Sequence, residues 1–150
     1  MNTDISPSEV RFSGKHAALT DAIIGAFFDV YNELGYGFLE SVYHNAMKVA
    51  LQHKGLKVAM EHPVSVYFRQ VNVGDFRADI IVDDLILLEF KTAATLDRIH
   101  EAQVLHDLHA TRFEVALLFN FGPKAQFKRF ILDNNQKAPH CHPASAFISK

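Results

Sequence analysis

The segment Leu85-Ile86-Leu87-Leu88-Glu89-Phe90-Lys91 constrains the fold more than any other part of the chain, because it is apolar at every position until its last three residues. A strand apolar on both faces belongs in the middle of a sheet covered on both sides. Successive strand residues point to opposite faces, so Glu89 and Lys91, two apart, share the face of Leu85 and Leu87, where burial is expected. An isolated buried charge is costly, so this pair requires each other, further polar groups or a metal ion. The chain has 150 residues, 49% of them hydrophobic, enough for one covered sheet without a disulfide or structural metal.

The elements around this strand predict an α/β domain. Leu19, Ile23, Ala26, Phe27, Val30 and Leu34 recur at helical spacing over about 17–34, and Gly35 stops the helix. After Tyr36-Gly37 a second helix is predicted over about 39–53, with Val42, Ala46, Val49 and Ala50 inward and Gly55 as its stop. The period then changes to two. Val64, Val66 and Phe68 alternate with Ser65, Tyr67 and Arg69, and a turn over about 70–75 leads to a strand over 76–82. Asp83-Asp84 reads as a two-residue turn. A third helix over about 96–110 and strands over 114–121 and 127–132 complete a strand-helix-strand unit, which implies a mixed sheet flanked by helices. The domain is expected to occupy residues 1–133, followed by a loosely held tail over 134–150.

Asp79 interrupts the apolar run Ala78 to Val82 as Glu89 interrupts its own. If the two strands form a hairpin across Asp83-Asp84, Asp79 lies near Leu88 and Glu89 and the carboxylates meet. A divalent cation holds two such carboxylates charged side by side, and a neighbouring lysine suits the orientation of water and the stabilisation of phosphate charge. The pattern fits phosphodiester hydrolysis. A buried Glu89–Lys91 ion pair with Asp79 capping a turn fits the same spacing. On the third helix, His100, Gln103 and Asp107 share one face, either lining a site or facing solvent, with Val104, Leu105 and Leu108 inward. Glu40 stands near Tyr43 and His44, and a first-turn glutamate stabilised by the helix dipole is its simplest reading.

Gly37-Phe38-Leu39-Glu40-Ser41-Val42-Tyr43, the run 76–82 through Asp79, Glu89-Phe90-Lys91, His100-Glu101-Ala102-Gln103 and Leu117 to Gly122 together resemble the GxxExxY family, a branch of the PD-(D/E)xK nuclease superfamily. The resemblance spans about 17–132. It implies a restriction-endonuclease-like fold and magnesium- or manganese-dependent cleavage of DNA, with RNA as an alternative substrate. It makes Asp79, Glu89 and the Phe90 carbonyl metal ligands, adds Glu40 to the acidic cluster, makes Lys91 the catalytic lysine and places Gln103 beside the site. The chain departs from the family's Q-x-x-x-Y motif, carrying Asp107 where the tyrosine belongs. A catalytically inactive module that binds nucleic acid or protein is the competing reading, and a homodimer suits a small nuclease that cuts two strands.

Fifteen Lys and Arg against seventeen Asp and Glu exclude bulk electrostatic attraction as the basis of nucleic-acid binding. One cysteine excludes an internal disulfide framework, apolar runs such as Leu85 to Leu88 are far shorter than the about 18 residues of a membrane span, and no leader sequence is evident at the start; a cytoplasmic protein is expected. His100 and His106 are six apart and cannot form a zinc-protease pair. His140-Cys141-His142 lies in the predicted tail, and Gly35-Tyr36-Gly37 lacks the strand that precedes a phosphate loop. Lys124, Lys128 and Arg129 with Phe127 and Phe130 read as core phenylalanines alternating with solvated cations, or else as a backbone-binding strip.

Overall fold

The computed structural model describes residues 14–137. Its elements are α1 (Ala17–Leu34), α2 (Glu40–His53), β1 (Val58–Phe68), β2 (Val71–Val82), β3 (Ile86–Lys91), α3 (Arg98–Ala110), β4 (Val115–Phe121) and β5 (Ala125–Ile131), followed by a 3-10 turn at Asn134–Gln136. The strands form one sheet in chain order. β1–β2, β2–β3 and β4–β5 are antiparallel, whereas β3 and β4 run parallel, joined through α3. This is the expected mixed sheet.

Alternation along the central strands separates two cores. Ile86, Leu88 and Phe90 of β3 and Val115, Leu117, Phe119 and Phe121 of β4 pack with α1 and α2. Leu87, Ala116 and Leu118 pack on the other face with Val104 and Leu108 of α3. All seven residues of β4 are buried. Phe127 and Phe130 of β5 are core residues of the two clusters, so the phenylalanines there support the sheet.

Glycines end both opening helices. Gly35, at φ +68°, donates its N–H to Tyr31 O at 2.8 Å. Beyond α2, the Gly55 N–H bonds to Gln52 O and the Leu56 N–H to Leu51 O, a paired closure that Gly55 permits at φ +79°. The predicted inward stripe of α2 is corrected. Tyr43, Met47 and Leu51 are fully buried, whereas Val42 and Val49 are exposed and Ala46 and Ala50 lie at the margin. The cause is the Tyr43 ring, which stacks on Phe121 at 4.1 Å and whose hydroxyl donates to Gly35 O at 2.7 Å. Turning that ring inward carries the valines outward.

Both hairpins differ in detail from expectation. β1 and β2 are joined by Arg69-Gln70, both at positive φ, so the ladder runs through the stretch expected to be a turn. Between β2 and β3 the ladder starts at Val82–Ile86, so Leu85 joins Asp83 and Asp84 in the loop and the register moves by one residue. Along β2, the β3 ladder takes in Ile80, Ile81 and Val82 alone, whereas β1 accompanies β2 back to Val71. The outer part of the β1–β2 hairpin is therefore a two-stranded ribbon reaching past the end of β3.

Helix α3 starts two residues later than expected, at Arg98, because Asp97 caps it by accepting from the Ile99 and His100 N–H groups. Leu105 is 44% exposed and not inward. After β5 the Lys137 side chain is buried, donating to Thr111 O at 2.6 Å and Phe113 O at 2.7 Å. The rest of the expected tail, including His140-Cys141-His142, lies outside the described residues.

Gly122 follows β4 where the chain leaving β3 passes close by. A Cβ there would overlap the Ala93 carbonyl oxygen and lie 2.9 Å from Asn120 Nδ2. A Cβ at Gly74 meets nothing within 4 Å. Gly122→Ala is expected to lower unfolding free energy by about 1–3 kcal/mol, the range for overpacking. Gly74→Ala should stay within about 0.5 kcal/mol of the parent in urea denaturation.

Candidate active site

The motif of glycine, glutamate and tyrosine at 37, 40 and 43 has a local physical basis. Gly37 sits at φ +111°, a conformation other residues rarely adopt, and turns the chain into α2. Glu40 is the first residue of that helix, where its charge faces the helix dipole. Tyr43 locks the link by donating to Gly35 O and accepting from the Phe38 N–H at 3.3 Å. With the tyrosine so fixed, the next residue, His44, is held over the sheet. Its ring lies 5.2 Å from that of Phe90, and its Nε2 is 3.8 Å from Asp79 Oδ2.

Asp79 and Glu89 come together as the hairpin argument expects. Asp79 is one residue beyond the last ladder pair, Ile80–Leu88, and its Oδ2 accepts the Phe90 N–H at 2.8 Å. Strand alternation slips at this point: Ala78 and Ile81 pack on the α3 side, Ile80 and Val82 on the α1–α2 side. Opposite, Glu61 of β1 adopts φ +48°. Asp79 thus stands at an irregularity that gives its carboxylate room beside β3.

The electrostatics show crowded negative charge in a dry place. Glu89 is pushed up to about 9, first by burial and then by the charges of Asp79 and Asp107, with Lys91 opposing and Glu40 adding to the rise. Burial likewise raises Asp79, against the Phe90 hydrogen bond and the charges of His44 and Lys91. Asp107 is buried on α3 and raised to about 6, again first by burial, with His106 and Lys91 opposing. Burial and the neighbouring carboxylates thus favour the protonated form of Glu89. Its Oε2 is fully buried and has no hydrogen-bond partner among the described residues.

Sequence reasoning placed Asp107 on a polar helix face with His100 and Gln103, and the structure divides that face. Asp107 reaches the cluster through its field on Glu89. Gln103 is exposed one turn earlier, and His100 closes the helix cap by accepting the Asp97 N–H at 3.2 Å. Asn120 was not singled out for a role, although it is the polar residue paired with Lys91 across β3–β4. It is fully buried, accepts from Ala93 N at 2.8 Å and donates to Ala93 O at 3.0 Å. Its Nδ2 also donates to Gln126 Oε1, which accepts the Leu96 N–H as well. These two amides pin the segment between Lys91 and α3. Lys128 pairs with Glu101 at 2.6 Å, and Arg129 donates to Lys15 O, so two cations of the β5 strip are engaged within the fold.

The oxygen-rich set suits a hard divalent cation. No three His, Cys, Asp or Glu side chains among the described residues converge on one point. An ion here would rest on Asp79, Glu89 and the Phe90 carbonyl, with water and substrate oxygens completing its shell, as magnesium commonly accepts. The unpartnered Glu89 Oε2 fits that demand.

A family model of the PD-(D/E)XK nuclease superfamily matches residues 17–130. The chain belongs to that superfamily. The mixed sheet between α1–α2 and α3 is accordingly a restriction-endonuclease-like PD-(D/E)XK fold, and membership points to nuclease activity on a nucleic acid. The crystal structure of SSO0001 is similar over 62% of this chain and 50% of that one, at 18% identity and a TM-score of 0.47, so the match spans half of that protein's length. No curated protein matches significantly. Among the described residues of this PD-(D/E)XK chain, no helix is long and apolar enough to cross a membrane.

The raised Asp107 gives a signed prediction. Between the ordinary carboxyl value of 3.8 and about 6 the folded protein keeps a proton that the unfolded chain has lost. Wild-type stability therefore falls as pH rises through that window. Asp107→Asn should be more stable than wild type by about 1–2 kcal/mol above pH 6, after allowance for solvent screening, and the difference should shrink as pH falls to about 4. Urea unfolding across the pH series measures it.

Proposed function

We propose that this chain is a GxxExxY-type nuclease that hydrolyses phosphodiester bonds of DNA with magnesium or manganese. The observation that supports the reading best is Glu89: a buried carboxylate with one unpartnered oxygen, two residues before Lys91 and beside Asp79. A purely structural ion pair would leave no such oxygen unsatisfied.

In this reading Asp79, Glu89 and the Phe90 carbonyl hold the ion, and Glu40 adds negative charge at the start of α2. When bound, the ion supplies Lewis acidity toward the phosphate and makes water more acidic. Lys91 orients the attacking water and offsets charge developing on the phosphate oxygens. Gln103, exposed on α3, contacts substrate. Asn120 and Gln126 hold the β3–α3 segment still, so that Lys91 keeps its direction.

A second reading, an inactive module that binds nucleic acid, is favoured by Asp107. Its carboxylate adds repulsion where a phosphate would arrive and stands in the place of a neutral tyrosine.

A cleavage assay on DNA and RNA with added manganese separates the two. The nuclease reading expects cutting that chelator abolishes and that falls at least about 100-fold in Lys91→Ala and in Glu89→Gln, with fold retained by circular dichroism. Cutting unchanged in Lys91→Ala overturns it. Binding without cutting, unaffected by Glu89→Ala, establishes the inactive module.

A further inference from the structure

Among the described residues, His44 is a largely enclosed polar side chain beside the site to which the roles above give no task. Its side chain is 13% exposed, and its Nε2 is fully buried without a hydrogen-bond partner among the described residues. The nitrogen faces Asp79 Oδ2 at 3.8 Å, beyond hydrogen-bond length yet with no other protein acceptor engaged. Such a nitrogen is rare in a folded protein and asks for an explanation.

We infer that His44 is a positioning residue for Asp79, donating its Nε2–H to Asp79 Oδ2 when the carboxylates hold a cation and so aiming Oδ1 at that ion. The inference rests on the metal-dependent reading of the site. A carboxylate oxygen accepts two hydrogen bonds, and Oδ2 already takes one from the Phe90 N–H at 2.8 Å. The oxygen that His44 faces is thus the one committed to the protein, and Oδ1 is left for the site. Phe90 has two parts in this arrangement, since its ring also seats the imidazole at 5.2 Å. The helix keeps the ring there because the preceding Tyr43 is stacked on Phe121 and bonded to Gly35 O. Phe90 is buried in the α1–α2 core, and His44 lies against its ring, so both supports of Asp79 Oδ2 come from the face opposite the one that packs against α3. The carboxylate is therefore held through Oδ2 beside the end of the β2–β3 ladder.

Outer partners of metal-binding carboxylates typically change affinity 10- to 100-fold when removed. The test is calorimetric titration of manganese into wild type, His44→Met, which keeps bulk without a donor, and His44→Gln, whose amide can replace Nε2–H. Folding of each variant is first confirmed by thermal melting. The expected result is manganese affinity weakened about 10- to 100-fold in His44→Met and largely restored in His44→Gln. Wild-type affinity in a folded His44→Met overturns the inference while leaving the nuclease reading intact. Nitrogen hyperfine coupling to bound manganese that disappears in His44→Met would mark a direct ligand and also overturn it. No manganese binding by wild type, with or without DNA, removes the metal-dependent reading and this inference with it.

Discussion

The burial of β4 along its whole length, on both faces, is the condition on which the rest of the molecule depends. A strand so enclosed needs a helical layer on each side, and its parallel partner β3 reaches it only through a crossover. α3 supplies that crossover and covers one face, while α1 and α2 cover the other. Charge is then tolerated at the end of β3, within the field of Glu40 at the start of α2 and of Asp107 in the last turns of α3. Glu89 and Lys91 occupy that end. The polar site is where the layered packing finishes.

The carboxylates there resist one another, and most of the resistance comes from the lack of water. Burial is the first cause of the raised pKa of Glu89, Asp79 and Asp107, ahead of repulsion by neighbouring carboxylates. The fold tolerates this because its geometry is determined elsewhere, by phenylalanine packing such as Phe27 on Phe119 at 4.5 Å and by the amides of Asn120 and Gln126. Groups held against their preference in an otherwise well-determined frame are a recurring sign of a functional site.

Much of this was legible in the sequence, for reasons that can be named. Glu89 and Lys91 stand out because a continuous apolar run makes any charge an anomaly, and Asp79 follows from hairpin arithmetic that tolerates an error of one residue. α1 was legible because its apolar face is broad. α2 was misread because Val42 and Val49 are as apolar as Tyr43 and Met47, and only the ring stacking on distant Phe121 decides between the faces. Periodicity puts Asp107 on a face with His100 and Gln103 but cannot tell that it alone of the three is buried, and the enclosure of His44 comes from Phe90 on a distant strand. Asn120 has the same limitation: its partner, Ala93, lies 27 residues earlier in the chain.

The ribbon formed by the outer halves of β1 and β2 divides the domain by stability. Beyond Ile80 the hairpin loses β3 as a neighbour, and the first five residues of β2 are exposed. At its tip, beyond Val64 and Phe76 that still pack on the α3-side core, such a ribbon opens at lower cost than a covered sheet. Asp79 stands at the border between the two regimes, while Glu89 lies wholly within the sheet. The two carboxylates thus rest on unequal support, one at the root of the ribbon and tied to β3 by the Phe90 N–H, the other inside β3 itself.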